Sequence, residues 1–159
     1  MIKPKNYSMR LELYGKGNLN FVEFNFTGDN DAYKSCDDES HYMDTEVFNL
    51  FTHCFERSCK LFDYFGPTRY NSRNIVPLLN ELTSNLEKIK EINSLDFFID
   101  FVGNCFLGTN FIYEIEKHDK SWNLNWEQYN RRLADINTGL INLVTKCIED
   151  SRTLWVIGY

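Results

Sequence analysis

Five cysteines, three histidines and 23 carboxylates give this chain the raw material for metal or nucleophilic chemistry, and spacing decides what they can make. There is no CxxC, HxxxH or HExxH; the close Cys/His sets are Cys36 with His41 and His53 with Cys54. Adjacent residues on a helix point about 100° apart, so His53 and Cys54 do not share a metal. The run GDNDAYKSCDDE lacks the glycine at the sixth position of a calcium loop. No metal and no cofactor is expected. Cys54, Cys59 and Cys105 fall on apolar helical faces, where a thiol packs and stays inert, and there is no GxSxG elbow. No catalytic residue is assigned, and an enzyme is not the expected class. The odd, scattered cysteines read as reduced thiols. Gly15-Lys16-Gly17 has the wrong spacing for a phosphate loop and no helix pattern after it.

Two further groups carry a weaker signal. His53 is central on the polar side of a helical pattern, with Glu56 one turn away as an orienting acid. Asp96, Asp100 and Asn104 lie four apart and form one stripe on an otherwise apolar helix. The helix dipole accounts for Asp96 in the first turn; for Asp100, a pair with Arg69, Arg73, Arg131 or Arg132, or a solvated position, is expected. A pocket between sheet and helices using His53, Asp100, Arg69 and Arg73 is the ligand-binding or enzymatic alternative.

Charge distribution points elsewhere. The net charge is −6. Residues 28–46 hold seven acids and one base, so this one stretch accounts for all of it, and the remaining 16 acids and 16 bases cancel. With a pI near 5.1 and the bases dispersed, nucleic acid is not an expected ligand. Concentrated acid beside aromatic residues suits a basic protein partner, with charge steering the encounter. The residues expected to contact it are Asp37, Asp38, Glu39, Tyr42 and Asp44. In size and charge alone the chain resembles immunity proteins, which block basic toxins; the resemblance implies a non-enzymatic inhibitor. Solubilising an aromatic-rich protein is an equal explanation of the acidic stretch, and self-association is left open.

The elements that must position these residues read as one α+β domain over 1–159. Tyr7–Tyr14 and Leu19–Phe26 alternate with period two about Gly15–Asn18, which predicts an N-terminal β-hairpin. Residues 28–45 have no periodicity and predict an acidic loop. Helices are expected over about 45–65, 74–92, 95–107 and 125–150, the first ended by Gly66-Pro67 and the third capped by Ser94. Phe111–Lys117 reads as either helix or strand. Thr153–Tyr159 predicts a terminal strand that joins the hairpin in a small antiparallel sheet, packed on about four helices. With 13 Phe, 9 Tyr and 3 Trp the core is expected to be built from rings. No apolar run reaches the roughly 18–20 residues of a membrane span, and MIKPKNYSMRLEL has no secretory pattern. A cytoplasmic protein starting at Met1, with no membrane contact, is the expectation. Few Ala and many Asn, Phe, Ile and Lys suggest an AT-rich, bacterial coding sequence.

Overall fold

Alternation of side chains along four short strands sets the architecture of the computed structural model, which describes residues 9–15 and 21–159. The elements in order are β1 Phe21–Asn25, β2 His41–Asp44, α1 Thr45–Phe48, α2 Thr52–Ser58, β3 Pro67–Tyr70, α3 Ile75–Glu91, α4 Leu95–Asn104, α5 Gly108–His118, α6 Trp126–Glu149 and β4 Leu154–Gly158. The strands form an antiparallel sheet in the order β2-β1-β4-β3, so the chain is α+β and its last strand joins the N-terminal one, as expected. No helix among the described residues is long and apolar enough to cross a membrane.

The N-terminal antiparallel pair is made by other residues than the alternation suggests. β1 is central, with β2 on one side and β4 on the other, and Phe24 faces His41 and Val156. Of the expected first arm, residues 9–15 make a single bridge, Tyr14 to Tyr42, and Tyr7, Ser8 and the turn at 16–18 lie outside the described residues. The partner of β1 therefore comes from the end of the expected acidic loop. The reason is hydrophobic: Met43, fully buried, faces Val22 and shares its core with Phe24.

The expected helix over 45–65 is two shorter ones, because its apolar stripe is satisfied by reversal. Ser58 Oγ donates back to the carbonyl of Cys54 at 2.7 Å, and Cys59 turns extended. Phe62 then folds back to within 6.3 Å of the Phe48 and Phe55 rings. Leu61 and Phe65, which a continuous helix would bury, are 87% and 82% exposed. The chain next forms β3, whose opening Pro67 suits an edge strand. Asn74 Nδ2 covers the Arg69 carbonyl on that edge at 3.0 Å, and Tyr14 covers β2.

The later helices follow their patterns closely. Ser94 Oγ accepts from Phe97 N at 3.2 Å, the expected cap. Residues 108–118 are helical, which resolves the ambiguity at Phe111–Lys117. α6 ends at Glu149, and Ser151 takes a positive φ of 53° so that Arg152 N reaches the Cys147 carbonyl at 2.8 Å and Ser151 N that of Ile148 at 3.2 Å. That paired closure is a Schellman turn with serine where glycine is usual, and it aims the chain into β4. The core lies between the sheet and the helices: Phe24, Phe48, Phe55 and Tyr70 form a ring cluster with centroid spacings from 5.1 to 6.1 Å.

Gly158 locks the sheet to the reversal that precedes β3. Its N–H bonds the Gly66 carbonyl at 3.1 Å, and a Cβ there would stand 2.0 Å from the Tyr64 carbonyl oxygen. Gly158→Ala must push that backbone aside. Chemical denaturation is expected to show a loss of about 1–3 kcal/mol; an unchanged midpoint would mean that this contact is soft.

Candidate functional site

The outer face of the sheet, away from the helices, is where the acidic segment lies. Period-two alternation sends Glu23 and Asn25 of β1 to this face, beside Ile157 and Trp155 of β4 and Tyr42 of β2. Glu23 and Asn25 are both fully buried. An unpartnered buried carboxylate costs several kcal/mol, and here the loop over residues 26–40 supplies the partners. Glu23 Oε1 accepts from Cys36 N and from Tyr159 Oη, both at 2.9 Å; Oε2 accepts from Ser40 Oγ at 2.7 Å and, more weakly, from Asn25 Nδ2 at 3.4 Å. Because the Tyr159 hydroxyl gives its proton to Glu23, Ser35 donates to Tyr159 in the 2.9 Å contact between them. Asn25 donates to the Lys34 carbonyl at 2.9 Å and accepts from Thr27 N and Gly28 N at 3.2 Å.

The far edge of the loop is held by β3 and β4. Trp155 Nε1 donates to the Asp29 carbonyl at 2.7 Å, Thr153 Oγ1 to Asn30 Oδ1 at 3.1 Å, and Arg69 Nη1 to the Asn30 carbonyl. The Tyr33 ring lies 4.9 Å from that of Trp155. The loop thus follows a fixed course across the sheet. Asp29 accepts from the N–H groups of Asp31 and Ala32, which holds its carboxyl below the usual range. Burial, with Glu23 adding its charge, pushes the Tyr42 phenol up to about 12 and raises Tyr33 and Tyr159 as well. All three keep their protons at neutral pH.

Of the five residues expected to face a partner, three remain on the surface. Asp38 and Glu39 are exposed and Asp37 is half-buried. Tyr42 and Asp44 are buried, which removes them from any contact surface. Tyr42 donates to the Asp37 carbonyl at 3.2 Å, and Asp44 takes the Tyr14 hydroxyl at 2.7 Å and Arg10 N at 2.6 Å. They sit in a paired strand whose outer-facing side chains are covered by the N-terminal segment and the loop. The sequence reading missed Glu23, Asn25, Trp155 and Tyr159 as the anchors; alternation put Glu23 and Asn25 on a polar face, and only the covering loop makes that face an interior.

The alternative set is not brought together. Arg69 and Arg73 line a cleft of about 310 Å³ with Leu61 and Trp155, and neither His53 nor Asp100 is part of it. Asp100 is exposed on α4, the solvated position that is one of the two outcomes expected of it, beside an arginine pair. His53 begins a polar chain between helices: its Nε2 lies 2.9 Å from Asn85 Oδ1, Asn85 Nδ2 lies 2.9 Å from Asn137 Oδ1, and Asn137 Nδ2 donates to the Leu82 carbonyl at 2.8 Å. A carbonyl only accepts, so each amide orientation follows in turn, and His53 must carry its proton on Nε2. Cys54, Cys105 and Cys147 are held as thiols by burial, at about 12, 11 and 11. Among the described residues no group of three His, Cys, Asp or Glu is placed to hold a metal. No family model, curated protein or solved structure matches the chain.

Two expected outcomes follow from these networks. Glu23→Ala orphans the Cys36 N–H and two hydroxyls, so a loss on the order of 3 kcal/mol and faster amide exchange across 26–40 are expected; unchanged exchange there would show that Glu23 does not hold the loop. Burial lowers the His53 pKa, with Arg57 and Lys88 adding to the shift. The unfolded chain then binds more protons than the folded one below about pH 6.5. Stability contributed by neutral His53 is complete above that value and is lost as pH falls towards the folded pKa. Urea unfolding should show this slope, reduced in His53→Gln, which keeps an N–H for Asn85; His41, also lowered by burial, leaves a residual slope.

Proposed function

We infer that this protein is a non-enzymatic binding domain that captures a basic protein partner on the acidic segment, with Asp37, Asp38 and Glu39 as the contact charges. The observation that carries the reading is the anchoring of that segment. A stretch that only solubilises needs charge and no geometry, whereas this one is held by a buried carboxylate, a buried amide, an indole and a phenol. Fixed carboxylates lower the ordering cost of association. Their shared sign steers a cationic partner over the Debye length. An immunity-type inhibitor of a basic toxin is the particular form we propose, and it rests on size and charge.

The test compares the wild-type protein with a triple variant, Asp37→Asn, Asp38→Asn, Glu39→Gln, each immobilised and exposed to extract and to products of neighbouring genes at low and high salt. A stoichiometric basic partner held at low salt and released at high salt is expected. For the variant, association should be about tenfold slower at low salt with a flatter salt dependence. Equal capture by both proteins, or no basic partner, would overturn the reading.

A further inference from the structure

Two arginines at the β3 edge of the sheet carry charge that no carboxylate among the described residues answers. Arg69 lies opposite Trp155 in the β3–β4 register, and Arg73 follows four residues later, just before α3. Both line the cleft of about 310 Å³ whose wall also holds Leu61, Pro67 and Trp155 and includes no acidic residue. Neither guanidinium forms an ion pair with a described carboxylate. Arg69 gives one N–H to the Asn30 carbonyl, and the Arg73 side chain has no hydrogen bond among the described residues. The acids of the adjoining turns are engaged by their own backbone. Asp63 accepts from Phe65 N at 3.0 Å, and Asp29 from Asp31 N and Ala32 N, both at 2.8 Å.

Two asparagines fix the arginine backbones to each other. Asn74 Nδ2 donates to the Arg69 carbonyl at 3.0 Å, Asn71 Oδ1 accepts from Arg73 N at 3.0 Å, and Asn74 Oδ1 accepts from Asn71 N at 2.8 Å. The spacing of the two cations is therefore set before any ligand arrives, which lowers the ordering cost of binding. The apolar wall is equally fixed. Trp155 is pinned through Nε1 to the Asp29 carbonyl at 2.7 Å, with Tyr33 4.9 Å from its ring. Leu61 stands 87% exposed beside it.

We propose that this cleft binds a small aromatic phosphomonoester, with the phosphate between Arg69 and Arg73 and the ring against Leu61 and Trp155. Charge selects the head group: a phosphomonoester carries about −1.5 to −2 at neutral pH and balances two guanidinium groups, whereas a carboxylate balances one. The planar guanidinium fork also matches phosphate oxygens in pairs. The indole and the leucine select a flat apolar body. A volume near the lower end of small-molecule sites, about 300 Å³, suits one ring and one phosphate. Binding alone is proposed, and it does not rest on the acidic segment or its partner.

Titration of the full, isotope-labelled chain with phenyl phosphate, followed by NMR, tests it. The Trp155 indole and the Asn71 and Arg73 amides should shift saturably with a Kd below about 1 mM. Inorganic phosphate, which lacks the ring, and benzoate, which lacks the second charge, should each bind about tenfold more weakly. Arg73→Gln should weaken phenyl phosphate and inorganic phosphate about tenfold with the melting temperature kept. Leu61→Ser should weaken phenyl phosphate and leave inorganic phosphate unchanged. Arg57→Gln, on α2 beside Glu81, should bind as wild type does. Absence of saturable shifts, benzoate binding as tightly as phenyl phosphate, no effect of Arg73→Gln or equal loss in Arg57→Gln would overturn the site. A phosphotyrosine peptide that binds far more tightly than phenyl phosphate would overturn the small-molecule occupant.

Discussion

A carboxylate buried at the centre of a sheet is the constraint around which this molecule is arranged. β1 has neighbours on both sides, so its backbone is paired throughout, and its side chains divide between two interiors. Val22 and Phe24 face an apolar core, while Glu23 and Asn25 face the other way and are equally inaccessible. Hydrophobic burial cannot cover the second pair. Only polar partners can, and apart from the Tyr159 hydroxyl they come mainly from a segment that has no regular structure of its own. The acidic loop is ordered because Glu23 and Asn25 demand partners, and those residues can be buried because the loop supplies them.

The helical side repeats the device on a smaller scale. His53, Asn85 and Asn137 come from α2, α3 and α6, and their bonds form a directed chain that ends on the Leu82 carbonyl. Apolar packing tolerates small slips between helices; a chain of amides in which every donor has one acceptor does not. The longest helices, α3 and α6, therefore meet in one register.

What the sequence determined alone is what local periodicity and capping can express. The helices at 75–91, 95–104 and 126–149, the Ser94 cap and the terminal strand were all legible, because each is written in spacings of two, three or four. So was the location of the charge. Tertiary structure decided which segment pairs with β1, since pairing depends on Met43 and Val22 sharing a core and not on the nearest turn. It decided that the apolar run at 45–65 folds back on itself, because clustering the rings of Phe48, Phe55 and Phe62 satisfies them as well as one helical face would. It also decided that Tyr42 and Asp44 are interior and Phe65 is not. Burial belongs to pairs of surfaces, and a sequence read one segment at a time contains only one of the two.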